Sequence, residues 1–331
     1  MNRALVPALL VALLATGCTA AYDDDGEARG TGRMTPAPAK AADAVPVVVD
    51  SDLAPDDLAA ITYLVRHPRV RVLGITVPTT GMVTCTNGGL QLLADLFATI
   101  EARSVPVACG VTPRSDGAVA FPRDWGAGVA SDSGLPHLGL MPYTPSRESA
   151  ADLIAREAMS TDDLQVVALA PLTELATVRR DHPAAYRRIA GITTMAGIVD
   201  AESHDAGQGV GEWNAAADPV AFDAVLAGSV PVTVVPDDPV PDGVPAGMDA
   251  PVVGALGVGT TIESPAYWDL ATAGLFTLPT AGTTAVYGAW RADVRNDRGR
   301  LHRTGDGTVR VVTALDAPAL DEAYTAVFAP D

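Results

Sequence analysis

Val45-Pro46-Val47-Val48-Val49-Asp50-Ser51-Asp52-Leu53-Ala54-Pro55-Asp56-Asp57 is the stretch on which the fold turns. Residues 45–49 form a short β-branched run of the kind found in fully buried parallel strands, and the run leads straight into an acidic turn. Residues 58–66 then read as a helix stopped by His67-Pro68, and 70–77 is a second apolar run. Strand, helix, strand is thus set early, and a parallel sheet is the natural inference. The alternation continues with helices over 89–102, 147–159, 173–180 and 220–227, and strands over 105–108, 164–169, 189–195 and 232–235. The prediction is an α/β fold, an open mostly parallel sheet with helices on both faces, over residues 45–331. The segment 110–145 is long, rich in Gly and Pro and without clear periodicity, which in a compact domain marks an active-site loop more often than a linker.

Composition supports a large buried core and narrows the partners. The chain has 331 residues, 48% of them hydrophobic, enough for one large α/β domain. A net charge of −18 argues against binding a phosphate backbone, which depends on lysine and arginine to release counterions, so nucleic-acid polymers are poor partners. Lys40 is followed by no other lysine, and arginine carries nearly all the remaining positive charge.

Residues 1–17 read as an export signal, with Arg3 ahead of a short apolar run that is too short to span a bilayer permanently. It ends in Leu14-Ala15-Thr16-Gly17-Cys18, which resembles a bacterial lipobox. On that reading Cys18 is acylated and the protein is exported and lipid-anchored on the extracytoplasmic side of the cell membrane. An ordinary secretory signal with an incidental cysteine is the alternative. Residues 18–44, rich in Ala, Gly, Pro and Asp and carrying the run Asp23-Asp24-Asp25, read as a flexible, solvated tether. Cys85 and Cys109 are then an even pair in a compartment that permits disulfides. A bond between them and two buried free thiols both fit the sequence.

The chemistry concentrates at the acidic turn. Asp50, Asp52, Asp56 and Asp57 converge where a buried strand ends and a helix begins, the place where open α/β sheets bind ligands. So much negative charge repels itself unless a cation neutralises it, and hard carboxylate oxygens favour calcium or magnesium. A helix start whose Asp56 and Asp57 merely complement the dipole leaves Asp50 and Asp52 unexplained. A phosphatase with an aspartyl nucleophile also uses Asp-x-Asp after a first strand, but it wants a downstream lysine that this chain lacks.

The block resembles the DxDxGxDD signature that opens the calcium-dependent, inosine/uridine-preferring nucleoside hydrolases, whose fold is Rossmann-related. Gly74-Ile75-Thr76 is similar to that family's GIT strand end, Ala168-Leu169-Ala170-Pro171-Leu172-Thr173 to its ALGPLT turn, and Met195-Ala196-Gly197 to its MGG. Glu212-Trp213-Asn214 followed by Asp218-Pro219 resembles its EFN and DP pair, and Trp268-Asp269 stands at its late His-Asp. Gly299-Arg300-Leu301 and residues 309–312 resemble its closing strands.

The resemblance implies hydrolysis of the N-glycosidic bond of a ribonucleoside to ribose and free base, with Ca2+ as cofactor, in a surface salvage role. Asp52, Asp57, Asp269 and the main-chain carbonyl of Thr173 would hold the metal, with Asp50 supporting them from behind. Asp52 would take the proton of the attacking water, Asp56 would contact the ribose hydroxyls, and Glu212 and Asn214 would bind the sugar against an oxocarbenium-like transition state. Trp268 could stack on a base. The resemblance also leaves open a homo-oligomer.

Several positions depart from the family, and they concern the sugar and base. Met82 stands where an asparagine is usual and cannot donate to a sugar hydroxyl; Trp268 replaces a histidine that in some members helps protonate the departing base, and indole has no proton to transfer at physiological pH. Leu53-Ala54-Pro55 lacks the signature's glycine. A sugar-binding asparagine expected before Glu212 is missing, and the longer loop 200–211 offers His204 or Gln208 instead. These departures support an alternative reading, a non-catalytic or substrate-shifted calcium-dependent binder of a diol-bearing ligand. Leaving-group contacts are expected from loops 110–145 and 236–247. His67 and His182 precede proline and read as structural, His137 and His302 are isolated, and no zinc pattern or serine nucleophile motif is present.

Overall fold

The valine run forms the centre of one sheet. The computed structural model describes residues 38–132, 135, 138–248 and 266–328. The chain runs β1 (Val45–Ser51), α1 (Pro55–Arg66), β2 (Val70–Val77), α2 (Gly89–Thr99), β3 (Val107–Cys109), α3 (Arg123–Asp132) and α4 (Ala150–Ser160). It continues with β4 (Gln165–Leu169), α5 (Thr173–Asp181), α6 (Pro183–Tyr186), β5 (Gly191–Met195), α7 (Trp213–Ala217), α8 (Pro219–Leu226) and β6 (Val232–Val235). After the described chain resumes come α9 (Trp268–Thr277), β7 (Thr284–Ala292), β8 (Leu301–Ala314) and α10 (Ala317–Phe328). The strands lie in the order β3-β2-β1-β4-β5-β6-β8-β7, parallel throughout except for β7 against β8. The expected α/β architecture is therefore what forms.

Alternation along β1 explains why its valines are uninterrupted. Val47 and Val49 face a core shared with α1, α2, α9 and α10, whereas Val48 faces one shared with α4, α5 and α8. All three are fully buried, and each contributes roughly 1.5–3 kcal/mol relative to an exposed side chain. Because both faces are dry, β1 carries no polar alternation until its carboxyl end, where Asp50 and the residues after it emerge.

Three features differ from the sequence reading. The segment 110–145 contains α3, which lacks an apolar stripe but packs where Gly126 lets it approach: a Cβ there would stand 2.2 Å from the Met82 carbonyl oxygen. The closing strands form a long antiparallel hairpin, β7 with β8, on one edge of the sheet. Residues 38–44, drawn within the expected tether, lie against the domain, with the Lys40 ammonium donating to the Val65 and His67 carbonyls at the end of α1. The Ala41 N–H donates to the Pro68 carbonyl (2.8 Å) and that of Val45 to Arg69 (2.9 Å). Residues 1–37, with the export signal and Cys18, and His137 lie outside the described residues.

Candidate active site

The acidic turn is built by β1 handing the chain to α1. Leu53 sits at φ 60°, a left-handed conformation that costs a non-glycine residue about 1–3 kcal/mol. Its side chain is fully buried and its N–H donates to Ser51 Oγ (3.1 Å), which hold the turn in place. Pro55 occupies the first helical position, where a missing N–H costs nothing. The N-cap Ala54 has no capping side chain, so the Asp57 carboxylate accepts its N–H (3.1 Å) and also the Ser51 hydroxyl. The result is that Asp52, Asp56 and Asp57 are all buried at the carboxyl ends of the strands.

Distant segments complete the cluster. The N-terminus of α9 brings Asp269, whose N–H donates to Asp56 Oδ2 (3.2 Å). Ligand oxygens of Asp56, Asp57 and Asp269 lie within 4.8 Å of one another. Asp52 accepts the Met82 N–H (2.8 Å), and the chain can pass this close only because residue 81 is glycine, since a Cβ there would lie 2.2 Å from Asp52 Cβ. The disulfide Cys85–Cys109 bonds the segment just beyond Met82 to the end of β3, with Cα atoms 6.0 Å apart.

Burial, compounded by the charge of Asp57, pushes Asp52 and Asp269 well above the usual carboxylate range and Asp56 up to about 7. Asp57 is raised too, again by burial, with its hydrogen bonds pulling the other way. No lysine or arginine is among the described residues lining the cavity, and the buried Asp269 Oδ1 has no hydrogen-bond partner among the described residues. Hard oxygens, mutual repulsion and an orphaned acceptor fit a divalent cation of the calcium or magnesium type.

These carboxylates open into a cavity of about 710 Å³. Asp52, Asp56, Asp269, Glu212, Asn214 and Trp268 all line it, so the structure brings together most of the residues singled out from the sequence. Glu212 caps α7, its two oxygens accepting the N–H groups of Gly197 (2.8 Å), Asn214 (2.7 Å) and Ala215 (2.9 Å). The Asn214 amide donates to the Leu169 carbonyl (3.2 Å), which fixes the side chain at the carboxyl end of β4. Met82 and Trp268, the two departures, also line the cavity.

Asp50 and Thr173, like Asp57, do not themselves line the cavity. Asp50 lies behind the cavity, its Oδ1 accepting the Thr76 hydroxyl (2.6 Å), and burial raises its carboxyl to about 7. Thr173 is not among the residues lining the cavity: its hydroxyl donates to Asp218 (2.8 Å), and its carbonyl accepts the Thr177 hydroxyl (2.8 Å) inside α5. The three-carboxylate cluster includes Asp56, which the resemblance gave to the ribose.

The sequence reading missed the aromatic wall. Phe121 stacks on Trp213 with ring centroids 5.6 Å apart, and Trp125 meets Trp213 edge-on at 5.1 Å. With Trp268, three of the chain's four tryptophans line one cavity. The signal was there, since Trp213 sits between Glu212 and Asn214 and two large aromatics interrupt a Gly- and Pro-rich loop. Its use depended on a fold contact between α3 and α7 that spacing does not reveal.

The model of the inosine-uridine preferring nucleoside hydrolase family matches residues 47–322. The chain belongs to that family. Over 201 residues this nucleoside hydrolase family member is 28% identical to the pyrimidine-specific ribonucleoside hydrolase RihA of Citrobacter koseri, covering 58% of the chain and 59% of that protein. It is 26% identical over 199 residues to RihA of Shewanella baltica, covering 57% of each. The chain thus spans about three fifths of the length of the curated relatives it matches. Among solved structures, an inosine-guanosine nucleoside hydrolase has a TM-score of 0.71 at 19% identity, over 86% of this chain and 99% of that one. The inosine-uridine preferring nucleoside hydrolase of Bacillus anthracis has a TM-score of 0.68 at 18% identity, over 86% and 98%. These likenesses show the shared fold.

Proposed function

We propose that this family member hydrolyses the N-glycosidic bond of a ribonucleoside, with Ca2+ held by the buried carboxylates. The observation that carries the reading is the convergence of Asp52, Asp56, Asp57 and Asp269 beside a cavity that also presents Glu212, Asn214 and an aromatic wall. A bound cation would hold the ribose diol and make the attacking water more acidic. Asp52, fixed by the Met82 N–H, would take the water's proton as the oxygen bonds the anomeric carbon. Glu212, its orientation locked by three backbone donors, offers negative charge to a positively charged transition state, and Asn214 positions the sugar. The apolar side of Phe121, Trp125, Trp213 and Trp268 suits a flat base and keeps water from it.

The family membership and the likeness to proteins described as ribonucleoside hydrolases support the reading. We place the activity outside the cytoplasm, with Cys18 as a lipid anchor and cell-surface scavenging as its role. Recovery of the protein in membranes, and its release by Cys18→Ala, would test the anchor. Measuring reducing-sugar release from a panel of ribonucleosides, with Ca2+ and with chelator, tests the activity. Chelator-sensitive release that is lost in Asp52→Asn upholds it. Met82 and Trp268 in the cavity favour a second reading, a calcium-dependent binder of a diol-bearing ligand. Retention of intact nucleoside by folded, calcium-loaded protein would select it.

A further inference from the structure

The loop 200–211, between β5 and α7, is pinned at its root and closed on itself. The Val199 and Ala201 N–H groups donate to the Asp238 carboxylate at 2.7 and 2.8 Å, and the His204 N–H donates to the Gly211 carbonyl (2.9 Å). Gln208 turns back to Asp205 (2.7 Å). His204 enters the cavity. Its Nε2 lies 3.4 Å from Asp237 Oδ1, and its ring centroid is 6.1 Å from that of Trp268, the residue standing where the family's late histidine would be. Asp237 is itself held by its N–H to the Gly197 carbonyl (2.9 Å).

We propose that His204, oriented by Asp237, is the acid that protonates the departing base. The inference rests on the hydrolase reading above. The aromatic at the place of the family's histidine cannot supply that proton, and the longer loop delivers an imidazole beside it. An Nε2 turned toward Asp237 at ion-pair distance leaves Nδ1 for the ligand. A carboxylate paired with an imidazole favours its charged form. Burial opposes that charge, but Asp237 and Glu212 outweigh it, and the histidine is raised above its ordinary value. As the C1′–N bond breaks, its electron pair goes to the base, and His204 gives the base a proton. The water oxygen bonds C1′ and its proton goes to Asp52. Solvent exchange then returns Asp52 and His204 to their starting states.

The test uses two kinds of leaving group on the same sugar, in the full chain with Ca2+. Inosine and uridine need their base protonated, whereas p-nitrophenyl riboside releases a phenolate that leaves unaided. His204→Ala is expected to lower nucleoside turnover about 100- to 1,000-fold and to change p-nitrophenyl riboside turnover less than about 3-fold. Asp237→Asn, a positioning change, should lower nucleoside turnover about 10-fold with the same selectivity. Retained p-nitrophenyl riboside turnover also shows that each variant is folded. An equal fall on both substrates would make His204 a ribose contact or a structural residue and overturn the proposal. No fall on either, or a parent protein that cleaves only p-nitrophenyl riboside, would overturn it as well. A parent protein that cleaves neither defeats the hydrolase reading itself, which separates the two failures.

Discussion

The two ends of the same sheet handle charge in opposite ways. At the carboxyl ends of the strands, Asp52, Asp56, Asp57, Asp269 and Glu212 are buried together, and an oxygen of Asp269 has no partner among the described residues. At the amino ends a smaller cavity, about 370 Å³, is lined by Val45, His67, Arg69, Gln165 and Arg310 among others. There the Lys40 ammonium meets the last carbonyls of α1, and Arg310 reaches the Pro279 (3.4 Å) and Gly282 (3.3 Å) carbonyls. The basic end uses its donors on its own backbone, where cations at a helix C-terminus are stabilising. The acidic end gathers carboxylates in a dry place, where ionised together they would cost several kcal/mol per unpaired ion, a cost that a bound cation would offset. One end spends its donors on the chain's own carbonyls, and the other gathers acceptors that suit a cation.

The sharpest way to break this contrast is Asp52→Asn. Turnover should fall on the order of 1,000-fold in a reducing-sugar assay. The metal-free protein should melt no lower than the parent, because the change removes a buried charge rather than a needed contact. A large loss of apo stability would mean that the acidic end is a structural network after all. Next in size is the disulfide that ties the Met82 segment to β3. Cys85→Ser together with Cys109→Ser should cost about 3 kcal/mol of unfolding free energy, from the loop-closure entropy of a crosslink spanning 24 residues. Denaturant titration of both forms measures it.

Calcium itself comes third. At a hundred times its dissociation constant it should stabilise the folded chain by about 2.7 kcal/mol, raising the melting temperature by roughly 5–10 °C. Chelator should reverse the rise and Asp269→Ala should abolish it; a melt indifferent to Ca2+ in the parent protein would remove the contrast between the ends. The smallest effect belongs to the basic end. Burial first, then the charges of Arg69 and Lys40, lower His67 to about 4 from 6.5. Between those values the unfolded chain binds more protons than the folded one, so stability is lost as pH falls from 6.5 to 4 and is intact above. For a half-buried group the loss should be about 1 kcal/mol after solvent screening. His67→Gln should flatten that limb of a pH-dependent melt without touching turnover.

The contrast was only half legible in the sequence. The acidic end announced itself because a parallel strand buried on both faces must be uniformly apolar, so Asp50 and Asp52 at the end of 47–49 stand out against it. Asp269 was found through a resembling motif, since nothing local in Trp268-Asp269 points to a turn some 210 residues earlier. The helix α3 was not legible: Arg123–Asp132 has no apolar stripe, and its place is set by Gly126 against Met82. The approach of His204 to Asp237 is made by adjacent strand ends, β5 and β6, which the strand order decides. At the other end, the basic groups carry no motif, because capping a carbonyl asks only for a donor of sufficient reach.

Lys40 carries a final consequence. It is the chain's sole lysine, docked at the end of the sheet away from the cavity, and burial followed by the charge of Arg66 lowers its ammonium to about 8. Near that pH a substantial share of it is an unprotonated, nucleophilic amine. A support or label that couples to a lysine side chain therefore meets a single lysine on this molecule, at the end of the sheet away from the cavity.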